Sequence, residues 1–289
     1  MTQGNRLLTQ LGFFLLQNPF IKNFITGKIY RGKIKVICSP GLNCYSCPAA
    51  AASCPIGAIQ FFLAGIKSGI SFYVTGFLML TGVVFGRFIC GYVCPMGLLQ
   101  DLLYRIKTSK LVLRLRFLRY IKYIVLAVFV ILLPVVVNEL MGFGQPWFCK
   151  YICPSGTIFA AVPLLLANSF LHRLIGAQFI FKLSIAVGIM AAAVFIYRIF
   201  CRVLCPLGAI YALFNKISIM HIHCDREKCQ SCGNCSKECQ IMIKPVTQPN
   251  DFECVRCGKC VNACKSKALS YKIRRTSNSP ILERPNGAN

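Results

Sequence analysis

Residues 70–97 read ISFYVTGFLMLTGVVFGRFICGYVCPMG. From Ile70 to Ile89 the only charge is Arg87, and about 20 such residues suffice to cross a bilayer. The run ends in Cys90-Gly-Tyr-Val-Cys94-Pro-Met-Gly97: two thiols one helical turn apart, then a proline, which suits the first turn of a new helix. The stretch therefore predicts a spanning helix that delivers a cysteine loop, and the loop opens a second helix.

This unit recurs, and a recurring unit governs the reading of the chain. Cys54-Pro55-Ile56-Gly57, Cys94-Pro95-Met96-Gly97, Cys153-Pro154-Ser155-Gly156 and Cys205-Pro206-Leu207-Gly208 share one pattern. Cys90, Cys149 and Cys201 stand four residues before the last three, while Cys44 and Cys47 precede the first. The units pair around Ile70–Ile89 and around Ala177–Phe200, which reads as a loop–helix–loop duplication. Parallel repeats would bring Cys90/Cys94 beside Cys201/Cys205 on one side of the membrane. On the other side, the Cys44–Cys54 loop would meet Cys149/Cys153.

Composition agrees. The 289 residues are 56% hydrophobic and 14% charged, against about 45–50% and about 25% in soluble domains. The apolar excess ends near Asn215. The expected fold is a helical membrane domain over 1–215, with about four spanning helices and internal duplication. A two-cluster, ferredoxin-like α+β domain follows over 216–275, then a disordered tail over 276–289. Tyr120–Val137 is a further span, kinked at Pro134, whereas Leu7–Ile25 and Thr157–Leu171 are open to spanning, interfacial or half-helix readings. Net charge is +25, which fits a positive-inside membrane protein better than a nucleic-acid binder. Arg105, Lys107, Lys110, Arg114, Arg116, Arg119 and Lys122, with the basic tail, place Cys90/Cys94, Cys201/Cys205 and the tail in the cytoplasm. Lys28, Arg31, Lys33 and Lys35 run against that orientation. The expected location is the cytoplasmic membrane, multi-pass.

There are 19 cysteines. The tail carries Cys229-x2-Cys232-x2-Cys235-x3-Cys239 and Cys254-x2-Cys257-x2-Cys260-x3-Cys264, the two-cluster ferredoxin spacing in which each fourth Cys serves the other 4Fe–4S cluster. Cluster one would use Cys229, Cys232, Cys235 and Cys264, and cluster two Cys254, Cys257, Cys260 and Cys239. Gly233 and Gly258 permit close backbone approach, and Ile219–Ile222 and Leu269–Ile273 read as flanking strands. Zinc or disulfides are the competing reading. In the membrane domain, one or two more 4Fe–4S clusters are expected. An inner-face cluster would use Cys90, Cys94, Cys201 and Cys205. An outer-face cluster would draw on Cys44, Cys47, Cys54, Cys149 and Cys153. The competing readings are dithiols, disulfides or inert buried thiols. Cys38 and Cys224 fall outside the pattern, though Cys38 could join the outer set. His172, His221 and His223 are poorly placed for a transmembrane haem. Lys182 and Glu139 read as snorkelling helix-end charges or as proton or quinone contacts. Neither a Walker loop nor a dinucleotide fingerprint occurs.

The Cys-x3-Cys-Pro pairs and the double ferredoxin motif resemble the NapH/NosR-type membrane ferredoxins, or polyferredoxins, from about Gly41 to Ile273. The resemblance implies a cytoplasmic-membrane protein in quinol-linked electron transfer to anaerobic respiratory enzymes. The Cys44–Cys54 loop and the Cys149/Cys153 pair depart from the simplest NapH pattern. The expected function is electron transfer within a larger complex, from quinol or an outer-face redox partner to a cytoplasmic acceptor, with quinol oxidation a possible activity. The other reading is an accessory or regulatory protein that supplies electrons for maturation or metal reduction of another enzyme. A bilayer core of ~30 Å is too wide for one tunnelling hop, so clusters on opposite faces would need a relay between them, for which a quinone is the natural candidate.

Overall fold

The computed structural model describes residues 3–65, 71–111, 117–141 and 144–274. The expected disordered tail, 276–289, lies outside them.

Helix α1 (Gln3–Gln17) is amphipathic in the reverse of the usual sense. Gln10 is 4% exposed, while Leu8 and Leu16 are 68% and 72% exposed. Its polar stripe turns inward: Gln10 donates to the Gly91 carbonyl at 2.9 Å and Gln17 to the Val93 carbonyl at 2.8 Å. The Cys90–Cys94 loop thus rests on α1.

Each Cys-Pro unit opens a helix: α2 (Pro55–Leu63), α5 (Pro95–Leu103), α7 (Pro154–Ala167) and α10 (Pro206–Phe214). The first, second and fourth are nine residues long, about 13 Å. They are half-helices, too short to span.

The apolar run quoted above is broken. Helix α3 (Phe72–Phe85) has 14 residues, about 21 Å. It stops at Gly86, whose φ of 54° is left-handed, and the short helix α4 (Phe88–Tyr92) then carries Cys90. The equivalent break follows α8 (Ala177–Phe195). Arg198 has φ 51°, and Cys201 sits in the short helix α9 (Ile199–Val203). Two helices among the described residues are long and apolar enough to cross a membrane: α6 (Leu118–Asn138) and α8. Pro134 does not break α6. It lacks an N–H for the carbonyl one turn back, and the preceding stretch, Val125–Leu132, widens to a π-helix. Pro163 of α7 is preceded by the same device at Thr157–Ala161.

The tail forms an antiparallel pair, β1 (Met220–Cys224) and β2 (Leu269–Ile273), with Ile222 opposite Tyr271. Between the strands the two cysteine motifs repeat their backbone. Ser231 and Arg256, Gly233 and Gly258, and Met242 and Lys267 all have positive φ, each pair at the offset that relates Cys229 to Cys254. Gly233 and Gly258 open the one-turn helices Asn234–Lys237 and Lys259–Asn262.

Buried ion pairs lock the tail onto the helices that precede it. Glu253 accepts from Lys122 at 2.5 Å and from Arg87 at 3.2 Å. Burial alone would raise its pKa, but the two cations hold its carboxyl below the ordinary range. Arg256, fully buried, donates to the Asn215 carbonyl at 2.5 Å and to Ser218 Oγ at 2.7 Å. Asn215 in turn donates to the Cys254 carbonyl at 3.0 Å.

Removing one partner of a buried pair costs about 3–5 kcal/mol. Glu253→Gln is expected to lower the thermal midpoint of the purified protein and to speed tryptic release of the tail, while the exposed Glu227→Gln changes neither.

Candidate metal centres

The chemistry starts at the N-terminus of each half-helix. In the fourth unit Cys205 is the N-cap, and its Sγ accepts from the Gly208 amide at 3.3 Å. The sulfur does what a serine or aspartate oxygen does at an ordinary N-cap. In the other units the amides of Gly57, Gly97 and Gly156 lie near the Cys54, Cys94 and Cys153 sulfurs without closing that bond. The positive end of each helix dipole therefore points at a thiol and favours its thiolate. The third and fourth units, like the second, also share a backbone bond from the second Cys: Cys94 to the Ile89 carbonyl at 3.1 Å, Cys153 to Phe148 at 2.9 Å, and Cys205 to Phe200 at 3.0 Å.

The motif glycine has a steric reason in two units. A Cβ at Gly97 would lie 2.8 Å from the Cys90 carbonyl oxygen, and one at Gly208 would lie 2.9 Å from that of Cys201. At Gly57 the nearest atoms are 3.9 Å away.

Cys90, Cys94, Cys201 and Cys205 are brought together in the core, all within electrostatic reach of one another. Donors aim at this first set. Gln100 Nε2 donates to Cys201 Sγ at 3.0 Å, and the Leu42 amide donates to Cys94 Sγ at 3.4 Å. Arg87 and Arg198 are fully buried beside it and cross over: Arg87 donates to the Cys201 carbonyl at 3.1 Å and Arg198 to the Cys90 carbonyl at 2.5 Å. Arg198 is held by both oxygens of Asp101, at 2.8 and 2.6 Å, and Arg6 and Gln10 share that carboxylate. The sequence carried a signal for these arginines, which was missed: each stands three residues before the first Cys of its pair.

A second set gathers Cys44, Cys54, Cys149 and Cys153, again within mutual electrostatic reach. Cys47, in electrostatic reach of Cys44, donates to Asn18 Oδ1 at 3.6 Å. Cys38 pairs with Ser53 in a bridge and lines the cavity that holds this set. That cavity measures about 1140 Å³ and is walled by Phe61, Phe62 and Tyr73, with Lys35 and Lys182 as its charged members near the thiols. Lys182 is not simply a snorkelling charge: it donates to the Cys149 carbonyl at 2.8 Å. The Glu139 side chain lies outside the described residues.

In the tail, Cys239, Cys254, Cys257 and Cys260 lie in mutual reach. Burial pushes the Cys254 thiol up to about 12, so metal binding there must displace protons. Cys229, Cys235 and Cys264 surround Cys224 at the end of β1, and Cys232 is exposed. His221 and His223 lie on β1, and His172 bonds to the Leu165 carbonyl at the surface. Among the described residues no three of His, Cys, Asp and Glu are close enough to chelate a single metal ion. A cubane takes its thiolates at separate iron corners, wider apart than the ligands of one ion.

The tail motif touches the first set. A Cβ at Gly91, between Cys90 and Cys94, would lie 2.5 Å from the carbonyl oxygen of Val255, between Cys254 and Cys257. The Tyr92 hydroxyl donates to the Cys257 carbonyl at 3.5 Å.

Comparison with known proteins agrees with this geometry. A 4Fe–4S binding domain family matches the chain three times, at residues 69–117, 124–170 and 179–222, and each stretch contains one Cys-x3-Cys-Pro pair. Relatives include an uncharacterized protein of Methanocaldococcus jannaschii, 28% identical over 229 residues (75% of this chain, 85% of the relative). The ferredoxin-type protein NapH of Escherichia coli is 24% identical over 202 residues (66% and 63%). The regulatory protein NosR of Pseudomonas aeruginosa is 27% identical over 186 residues (59% and 22%). These relatives and the repeated 4Fe–4S domain support a NapH/NosR-type ferredoxin protein. No solved structure matches it. The matched stretches all precede the two cysteine motifs of the tail.

The steric difference among the motif glycines is testable. Gly97→Ala and Gly208→Ala are each expected to lose about four irons per chain, whereas Gly57→Ala keeps them; iron and acid-labile sulfide assays on anaerobically purified protein make the comparison.

Proposed function

We propose that this chain is a multi-pass membrane protein that relays single electrons through four 4Fe–4S sites, between a quinol or a redox protein and a soluble acceptor in the cytoplasm. The observation that carries the reading is the convergence of four helix-opening Cys-Pro units on two sets of thiols. A bound 4Fe–4S cluster supplies one-electron redox chemistry at a potential tuned by hydrogen bonds and charge around it.

The chain's own residues supply the rest. Cys90, Cys94, Cys201 and Cys205 hold one site, and Cys44, Cys54, Cys149 and Cys153 a second. Cys229, Cys232, Cys235 and Cys264 hold cluster one, and Cys254, Cys257, Cys260 and Cys239 hold cluster two. Arg87 and Arg198 offset the negative charge of the first site. The apolar core around the first site excludes water, which lowers the reorganisation that each electron movement there requires.

The membrane part is assigned to residues 1–215 with about four crossings, α6 and α8 among them, and the ferredoxin domain to 216–275. Reversed amphipathicity supports lipid around it: Leu8, Leu16, Phe72 and Phe181 face outward while Gln60, Arg87, Gln100 and Arg198 are buried. The ion pairs of Glu253 with Arg87 and Lys122 support a tail on the same side as the start of α6. The apolar-walled cavity at the second site exceeds the ~300–1,000 Å³ of ordinary ligand clefts, which supports a quinol there. The relative named as the regulatory protein NosR favours a second reading, an accessory role in supplying electrons for another enzyme's maturation. Deletion separates the two: loss of a respiratory activity with its terminal enzyme fully assembled supports relay, and loss of that enzyme's metal supports the accessory role.

Anaerobically purified protein is expected to carry about sixteen irons per chain, falling to about twelve in Cys94→Ser or Cys153→Ser. About eight would mean that only the tail binds clusters and would overturn the relay through the membrane part.

A further inference from the structure

The two membrane thiol sets do not lie on opposite faces with a bilayer's width between them. One residue joins them. The Leu42 amide donates to Cys94 Sγ at 3.4 Å, and the Leu42 carbonyl accepts from Ser155 Oγ at 3.4 Å. Ser155 follows Cys153 by two residues, and its amide faces the Cys153 sulfur. From one hydrogen bond to the other, the path N–Cα–C=O is about 4 Å of covalent bonds.

The segment is built to stay there. A Cβ at Gly41 would lie 3.0 Å from Cys94 Cα and 3.2 Å from Pro95 Cδ, so glycine lets the chain press against the first set. The Tyr211 hydroxyl donates to the Pro40 carbonyl at 2.9 Å and lies in electrostatic reach of Cys90, Cys94 and Cys54, members of both sets. On the far side Asn43 donates to Asn18 Oδ1 at 3.2 Å, and Ser39 donates to Gln17 at 2.6 Å. Leu42 itself is 1% exposed.

We propose that the Pro40–Asn43 segment couples the two membrane sites into one adjacent pair, with the Leu42 peptide as the bridge, so that no quinone is needed between them. This rests on the reading above that both sets hold 4Fe–4S clusters. An electron crossing the bridge oxidises one site and reduces the other. No bond is made or broken and no proton moves. The overall donor and acceptor remain the quinol or redox protein and the soluble cytoplasmic acceptor. Gly41 and Leu42 are positioning residues: the first permits the close approach, and the second supplies an N–H to a ligand sulfur. Such a hydrogen bond favours the more negative, reduced state and raises the potential.

The test is EPR of the fully reduced full-length protein, with redox titration and iron content measured on the same samples. In the unmodified chain the two membrane-site signals are expected to broaden one another by spin–spin interaction, and Cys153→Ser should abolish that broadening while leaving the first site's signal. Leu42→Pro, which removes the N–H, should lower the midpoint potential of the first site alone, whereas Leu42→Ala, which keeps the peptide, should leave it in place. Sixteen irons with magnetically independent membrane signals would overturn the coupling and leave the relay standing. Broadening of the first site's signal that Cys153→Ser leaves unchanged would also overturn it, because it would then come wholly from the adjacent tail cluster. Eight irons would overturn both. The spectrum of the unmodified protein decides the matter even if Leu42→Pro fails to fold.

Discussion

Two buried guanidinium groups exchange partners across the internal repeat, and most of the membrane part is organised around that exchange. Arg87 bonds to the carbonyl of Cys201, and Arg198 bonds to that of Cys90. A charge buried in apolar surroundings is tolerated only when paired and hydrogen-bonded, so each arginine recruits a carboxylate. Arg198 takes Asp101 of α5, which also binds Arg6 and Gln10 of α1. Arg87 takes Glu253 of the tail, which also binds Lys122 of α6. Through two arginines, the first thiol set, the N-terminal helix, one long span and the ferredoxin motif become a single structure.

The half-helices follow from the same economy of charge. A helix that starts at the thiol brings its amide dipoles to bear on the sulfur, and proline at its first turn gives up no needed donor. The cost is a chain end inside the core, with backbone groups that must be satisfied. The breaks at Gly86 and Arg198 meet it: Gly86, with positive φ, closes α3, and Arg198, with positive φ, starts α9 after α8 has ended at the extended Ile196. Arg198 adopts that conformation without being glycine, a strain of the kind that surrounding contacts must hold, and the two Asp101 bonds and the Cys90 carbonyl do so. The polar residues needed inside leave the apolar ones facing out, which is why α1 looks inverted.

Much of this was legible. The cysteine spacing of the tail, its strands and the repeated Cys-Pro helix starts could be read directly, because ligand spacing and helix capping are local. The reading of Ile70–Ile89 as one spanning helix did not hold in the structure, because a run of apolar residues does not reveal a left-handed glycine. Ahead of Pro134 the helix widens to a π-helix, which a proline in the sequence does not announce. Choosing four thiols from the Cys44, Cys47, Cys54, Cys149 and Cys153 candidates was also beyond spacing: Cys47 donates to Asn18, a residue it meets only in the fold.

The sequence by itself determined that the chain is apolar, basic and rich in thiols grouped for iron–sulfur binding, and that its cysteine units repeat. These are properties of composition and of contacts within a few residues. Only the tertiary structure decided which thiols meet, that buried arginines stand between the repeats, and that Leu42 bridges two sets that hydropathy assigns to opposite faces. Hydropathy reports how far a straight helix would carry the chain. It does not report where a loop pinned by Gln17, Asn18 and Tyr211 folds back into the core, since those bonds join residues far apart in sequence.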